Sequence, residues 1–380
     1  MMVGPSQGTR VLTGASLLSA VLGSIHAFSI FIEPLETQFQ ASRGLVSLTY
    51  SGGLMCLTLM VLLGHKFYGR APAPILCLFA VVLGAIGASV AANANALWQV
   101  WLGYSILFGL ANGIGYGFGL QMAAQANPGQ EGFAMGMVTA AYALGAVVSP
   151  ALFELGLASG GFWSAMLSLA IALLVFGLIS ACLMRGARFS ASIPVRPGSK
   201  VSGVWPMWLA YFGGVMAGLM VIGHAAGIAK ALDPSKALWI APAVVAACNL
   251  FGSLLGGQAV DRLPPRWVVV GFSVITFAAL VALVAIGAPI AMITLGMVGF
   301  AYGGTIASWP PVIAKRVGMD QSAKVYGRVF TAWGMAGLAG PWLAGTLYDG
   351  TGAYTVALGV AAMFSGVAVV MSGLVLAQGR

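Results

Sequence analysis

Residues 185–203 read RGARFSASIPVRPGSKVSG and stand at the midpoint of a chain of 380 residues. The stretch combines proline, serine and basic side chains, the composition of a linker. On both sides of it the sequence is a succession of apolar runs, each about as long as a membrane is thick. Overall 60% of the residues are hydrophobic and 7% are charged, and the mean hydropathy is +0.97. A soluble globular protein carries roughly a quarter charged residues, so that class is excluded. A transmembrane β-barrel needs alternating segments of about ten residues, and these runs are far longer. Twelve units fill the chain with about 32 residues each, one span of about 20 and a short connection. No length remains for a soluble catalytic domain.

Working outward from the linker, the spans before it are expected at 11–33, 44–64, 73–93, 97–121, 132–155 and 162–184. Those after it are expected at 204–229, 237–257, 267–286, 289–313, 325–346 and 353–376. With the N-terminus inside, fourteen of the 17 basic residues are cytoplasmic and three, Arg43, Lys230 and Lys236, are outside. So uneven a split supports both the number of spans and their direction. The opening MMVGPSQGTR has one basic residue before a run too long for a signal-peptide core, which predicts a first transmembrane helix. The 54 glycines and 18 methionines suit close packing of membrane helices. Cys56, Cys77, Cys182 and Cys248 all lie in apolar runs without metal-ligand spacing, so no metal is expected. Basic residues occur singly or in pairs, which argues against nucleic acid as a partner. No HExxH, Walker loop or paired-carboxylate arrangement is present, so an embedded enzyme and a cofactor are not expected.

The halves repeat each other at an offset of about 190 residues. GHKFYGR (64–70) aligns with GQAVDR (257–262), FGLANG (108–113) with VGFAYG (298–303), and 139–150 with 331–341. His26 of span one aligns with His224 of span seven. An offset of six spans preserves direction, so the repeat is parallel with its axis along the membrane normal. The expected fold is therefore an all-α membrane protein of twelve helices in two pseudo-symmetric bundles. Residues 1–184 form the first, 185–203 a cytoplasmic linker, and 204–380 the second.

Two six-helix halves, a basic central loop and GxxxDR-like turns after spans two and eight resemble the major facilitator superfamily across essentially the whole chain. The second turn keeps Gly257, Asp261 and Arg262 at the family's spacing, while the first keeps Gly64 and Arg70 but has Gly69 where the family prefers an acid. The resemblance implies that these five residues form cytoplasmic gate contacts between neighbouring helices. Within the superfamily, the 23–47 region with Gly23, His26, Phe28, Phe31 and Pro34, the GIGYGFG of 113–119 and the YGRVFTAWGMAGLAGP of 326–341 resemble the oxalate/formate antiporter and monocarboxylate transporter branch. Members that carry dicarboxylates place an arginine on span eight and a lysine on span eleven. Here Ser253 stands near the place of the arginine and Trp333 replaces the lysine. A dianion would lack the fixed charges that offset its dehydration, which leaves a small monoanion or an uncharged amphipathic molecule.

Ionisable groups inside a bilayer are expensive and usually functional. His26 and His224 are the two that fall well inside the expected spans, and their equivalent positions would put both beside the axis between the halves. They are candidates for binding a carboxylate and for carrying a proton, since an imidazole gains charge near pH 6.5. The structural alternative is a histidine that simply bonds a neighbouring helix. Glu33 lies seven residues beyond His26, hence on the same helical face two turns outward, and is a candidate proton relay. Asn112, Tyr116 and Tyr142, with Asn249, Ser253, Tyr302 and Trp333, are candidate cavity-lining residues. Aromatic walls with a few polar tips suit a small organic substrate, and helix-to-helix contact is the alternative for each.

The expected function is secondary transport of a small monocarboxylate across the cytoplasmic membrane of a prokaryote. Both termini would be inside, a proton would be co-transported or another anion exchanged, and the chain would work as a monomer among lipids. An exporter of drugs or amphipathic metabolites with the same fold is the alternative. A membrane sensor without transport is a third class.

Overall fold

The computed structural model describes residues 5–68, 70–128, 131–187, 204–235, 237–317 and 319–377. Most of the 185–203 linker, together with Gly69 and Lys236, lies outside them. Among the described residues the chain is all helical with no strand. Its helices are α1 (Pro5–Leu22), α2 (Ile32–Phe39), α3 (Arg43–Tyr68), α4 (Ala73–Ala92), α5 (Leu97–Val100), α6 (Gly109–Ala126), α7 (Glu131–Leu183), α8 (Val204–Ile222), α9 (Ala225–Leu232), α10 (Ile240–Arg262), α11 (Pro265–Ile286), α12 (Ala291–Val317), α13 (Met319–Thr351) and α14 (Thr355–Ala377).

Several of these join into longer spans. A 3-10 stretch, Gly23–Phe31, links α1 to α2, and a π-helical stretch, Trp101–Phe108, links α5 to α6. Conversely, α7 is two spans. A continuous 53-residue helix would be about 80 Å long against a hydrocarbon core of about 30 Å. The chain reverses at Gly160 and Gly161, and Gly161 sits at φ 67°, a left-handed conformation that costs glycine nothing. Nine runs among the described residues are long and apolar enough to cross a membrane. Dividing the 133–183 run at Gly160–Gly161, and adding 97–126 and α13, brings the spans to twelve, as the sequence predicts. Trp98, Trp163, Trp205, Trp239 and Trp267 are exposed near helix ends, where an amphipathic ring meets the membrane interface.

The contacts divide the chain into two compact units, one of residues 1–41 and 52–193 and the other of residues 42–51 and 194–380. In the first unit α1 packs on α7 and α6, while α4 packs on α7, α6 and the π-helical stretch. The later turns of α3 lie against α6 so closely that a Cβ on Gly113 would strike the Leu57 carbonyl. In the second unit α8 packs on α13, α14 and α12, α11 packs on α14 and α12, and α10 packs along α12. Numbered as spans, both units pair first with fifth, first with fourth, third with sixth and second with fourth. The repeat in sequence is thus a repeat in packing.

Helix α3 belongs to both units. Its first turns, to Ser51, group with the second, and from Gly52 onward it groups with the first. Asp349 at the end of α13 holds the α3 start: its carboxylate accepts from the backbone N–H of Arg43 (2.8 Å) and of Gly44 (2.7 Å). These are orphan donors of a helix N-terminus, where a carboxylate is also favoured by the helix dipole. Farther along, Ser51 Oγ accepts from the Trp342 N–H at 3.1 Å.

Candidate functional site

In the first unit, four of the sequence candidates come together. Where α1 tightens into the 3-10 stretch, the Leu22 carbonyl receives Asn112 Nδ2 of α6 at 2.6 Å. The other end of that amide, Oδ1, accepts the Tyr142 hydroxyl of α7 at 3.0 Å. Asn112 is fully buried, and both ends of its amide are engaged. It therefore positions Tyr142, whose ring stands edge-on to His26 with centroids 5.6 Å apart and planes at 79°. Tyr116 lies against Tyr142 at 4.7 Å. Its hydroxyl donates to Thr139 Oγ1 at 3.4 Å, since Thr139 gives its own hydrogen to the Met135 carbonyl. The result is a half-buried imidazole beside two tyrosines whose polar tips are fixed.

Glu33 does not share that face. The seven-residue spacing assumes 100° per residue, whereas five of the steps from His26 lie in the 3-10 stretch. At 120° per step the two side chains end roughly 80° apart. Glu33 is exposed, and the geometry removes the basis for a relay through it.

In the second unit, Trp333 Nε1 of α13 donates to the Tyr302 hydroxyl of α12 at 2.9 Å, and its ring stacks on Phe330 at 5.6 Å with planes 3° apart. Trp208 and Phe212 of α8 stack in turn at 5.0 Å, and Trp208 Nε1 donates to Thr331 Oγ1. Ser253 Oγ donates to Asn249 Oδ1 at 3.4 Å along α10. Gly303, next to Tyr302, lies where a Cβ would strike the Asn249 carbonyl, so α10 and α12 touch there. Among the described residues, this wall is aromatic and carries no Lys or Arg.

His224 is placed differently from the expectation of a side chain within a regular span. Helix α8 stops at Ile222, and His224 caps α9 in a break between them. Its ring is fully buried. Nε2 lies 2.8 Å from the Pro341 carbonyl and 3.2 Å from Ser47 Oγ, and Nδ1 lies 3.1 Å from the Tyr354 hydroxyl. Tyr354 also accepts from Arg43 Nη1 at 3.0 Å, while the guanidinium lies 4.0 Å from the Tyr348 ring centroid. Arg43, Ser47, Asp349 and Tyr354 were not among the sequence candidates. Arg43 and Asp349 are 306 residues apart, at helix ends where charge is ordinarily solvated, and no local pattern links them.

The turn residues have distinct surroundings. A Cβ on Gly64 would collide with the Tyr68 hydroxyl, so glycine there makes room for that ring, while Arg70 is exposed. Gly257 faces open space, and the crowded position is its neighbour Gly256, against the Gly304 carbonyl. Arg262 is exposed. Asp261 is 76% exposed and lies 4.0 Å from Lys315 Nζ, which also donates to the Val260 carbonyl at the end of α10. An ion pair this open contributes little. Asp261→Asn is expected to lower thermal stability in detergent by no more than about 1 kcal/mol, and a larger loss would mark Asp261 as a strong latch.

No protein-family model matches the chain. It is 27% identical over 358 residues to the uncharacterized MFS-type transporter YhjX of Escherichia coli (strain K12), with 87% of each chain covered. Among solved structures, it is similar to a bacterial homologue of the human lysosomal transporter Spinster. The TM-score is 0.82 for the inward-facing occupied form and 0.77 for the inward-facing unoccupied form. In both cases the identity is 14%, with 99% of this chain and 98% of the other covered. The chain has the twelve-helix fold of the major facilitator transporters.

Proposed function

We propose that this multi-pass membrane protein of the major facilitator type carries a small organic monoanion, a monocarboxylate, across the cytoplasmic membrane of a prokaryote. Transport proceeds by alternating exposure of one site as residues 1–184 rock against 204–380, with a proton carried along or another anion exchanged. The observation that carries this reading is the cluster around His26. It offers one imidazole, half-buried, at the edge of a tyrosine pair held in place by Asn112 and Thr139. An imidazole can donate to a carboxylate when neutral and attracts it more strongly when protonated. The tyrosine faces supply an apolar wall for a short carbon chain. Within the second unit, Tyr302, Trp333, Asn249 and Ser253 form a second aromatic and polar wall.

Among the described residues neither cluster contains Lys or Arg, which supports a single negative charge on the cargo. The resemblance of the 23–47, 113–119 and 326–341 stretches to the oxalate/formate antiporter and monocarboxylate transporter branch supports a small carboxylate as the cargo. Uptake into proteoliposomes tests the reading. Formate- and acetate-sized monocarboxylates are expected to enter, faster with an inward proton gradient, and to outcompete oxalate. Oxalate uptake equal to that of the monocarboxylates would overturn the charge argument.

A second reading rests on one observation. Between α1 and α7 lies a groove of about 390 Å³ lined by Leu17, Val21, Leu144, Val148, Leu152 and Phe176, with serines as its polar members. Such a surface suits an amphipathic molecule, as an exporter would take. Uptake or efflux of amphipathic cations in the same vesicles, with no carboxylate flux, would favour it.

The Trp333→Lys variant follows from the charge argument. Its ammonium can reach the Tyr302 hydroxyl that the indole now meets, so oxalate uptake relative to acetate is expected to rise at least tenfold, or about 1.4 kcal/mol. Competition uptake measures the ratio, and an unchanged ratio in a folded variant would remove Trp333 from the site.

A further inference from the structure

The partners of His224 define how its ring is protonated. Pro341 offers only a carbonyl, and Ser47 has given its hydrogen to the Arg43 carbonyl at 2.7 Å. Both groups near Nε2 are therefore acceptors, and Nε2 carries the hydrogen. At Nδ1, the Tyr354 oxygen already accepts from Arg43, which leaves its phenolic hydrogen to point at the ring. The chain Arg43 Nη1–H to Tyr354 O, Tyr354 O–H to Nδ1, and Nε2–H to Pro341 is complete when the imidazole is neutral. The carbonyl of Pro341 belongs to α13, Ser47 and Arg43 belong to the first turns of α3, and Tyr354 precedes α14.

We propose that His224 is a proton-operated latch for the first turns of α3, residues Arg43–Ser51. Neutral, it ties these turns, through Tyr354, Arg43 and Ser47, to α13. A proton arriving on Nδ1 turns that atom into a donor. The Tyr354 hydroxyl then loses Nδ1 as the acceptor of its hydrogen and must turn that hydrogen away, and a second positive charge stands beside the guanidinium. Arg43 and Asp349 are the charged groups near the ring, and both Asp349 oxygens accept hydrogen bonds from the start of α3. Tyr348 and Tyr354 are the other titratable side chains beside the ring and its guanidinium neighbour. The proton is therefore taken up as the segment lets go and the ring meets water, where an imidazole titrates near pH 6.5. Release is favoured as pH falls, by about tenfold per unit below that value while the closed form excludes the proton.

This inference rests on the reading of the chain as a carrier that changes exposure, and its test uses no cargo, so a failed uptake assay leaves it standing or falling by itself. A nitroxide at Leu45→Cys, an exposed position within the segment, is followed by electron paramagnetic resonance in the full chain in liposomes, with the four native cysteines replaced by alanine. Between pH 8 and pH 5 the mobile fraction is expected to rise reversibly, with a midpoint below pH 6.5 by about one unit for each tenfold that the neutral form favours closure. In His224→Gln, whose amide N–H can still meet the Pro341 carbonyl but cannot titrate, the spectrum should stay immobile throughout. In Tyr354→Phe the mobile component should be present already at pH 8. The parent protein serves as a variant-free measurement: a parent spectrum unchanged over this range would overturn the latch. So would the same transition in His224→Gln, or a Tyr354→Phe spectrum identical to that of the parent.

Discussion

A Gly145→Val variant is expected to yield no stable protein, with losses above about 3 kcal/mol. Gly145 of α7 faces α1 so closely that even a Cβ would run into the Ala20 carbonyl. Farther along the same pair of helices, Gly23 stands in the same relation to the Tyr142 carbonyl. What would have to yield at both points is backbone, and backbone carbonyls engaged in helices have no alternative rotamer. The α1–α7 contact also sets the distance from His26 to Tyr142, so even a folded revertant with the helices eased apart would lose the edge contact between those rings. Melting curves in detergent and size-exclusion profiles measure the effect. Gly136→Ala on the same helix, where an added Cβ meets nothing within 4 Å, is the control and should match the parent. Equal stability of the two variants would show that α1 and α7 pack less tightly than described.

His26→Phe carries the second large expectation: at least a tenfold fall in monocarboxylate uptake, or about 1.4 kcal/mol, with a normal melting curve. Phenylalanine keeps an aromatic ring against Tyr142 and removes both nitrogens, so packing is retained while the group that meets the carboxylate is gone. His26→Gln keeps one donor and should fall between the two. Tyr142→Phe is a different test, because it leaves the buried Asn112 Oδ1 without its donor at a cost of about 1–3 kcal/mol. That variant should melt earlier, and its uptake defect should follow from a misplaced ring. If His26→Phe transported at the parent rate, the cargo would bind elsewhere, and the α1–α7 groove would become the better site.

The number of spans, their approximate positions and the pairing of the two halves are legible in the sequence, because hydropathy and length are enough in a bilayer. Asn112, Tyr116, Tyr142 and His26 could be singled out for the same reason: a polar or ionisable side chain is conspicuous in an apolar run. Their arrangement could not. The helical wheel that joins Glu33 to His26 fails because Gly23–Phe31 winds at three residues per turn, and the π-helical Trp101–Phe108 stretch shifts the phase of everything after it in span four. Neither departure from 3.6 residues per turn has a reliable local signature. His224 was conspicuous too, but its partners come from α3, from a proline carbonyl and from the start of α14. Only tertiary structure brings these together.

Gly257 illustrates a further limit. It holds the family's place in the turn, yet an added Cβ would meet open space, whereas Gly256 is held against the Gly304 carbonyl. Adjacent glycines on a helix are 100° apart, so one packs while its neighbour faces away. A motif that records spacing does not say which of the two has a steric task.

The membership of α3 in both units changes what happens when the gene is split. A break in the 185–203 linker would yield two polypeptides, and the first would carry a short stretch, Arg43–Ser51, that docks on its counterpart. Produced alone, the second polypeptide would present Asp349, Tyr354 and His224 with their occupant missing. Co-production should rescue it, and so should a first fragment that retains those residues but carries unrelated defects. A first fragment with Arg43, Ser47 and Ser51 all replaced by alanine should not. The second compact unit is in this sense completed by a short piece of the first half of the chain, residues 42–51.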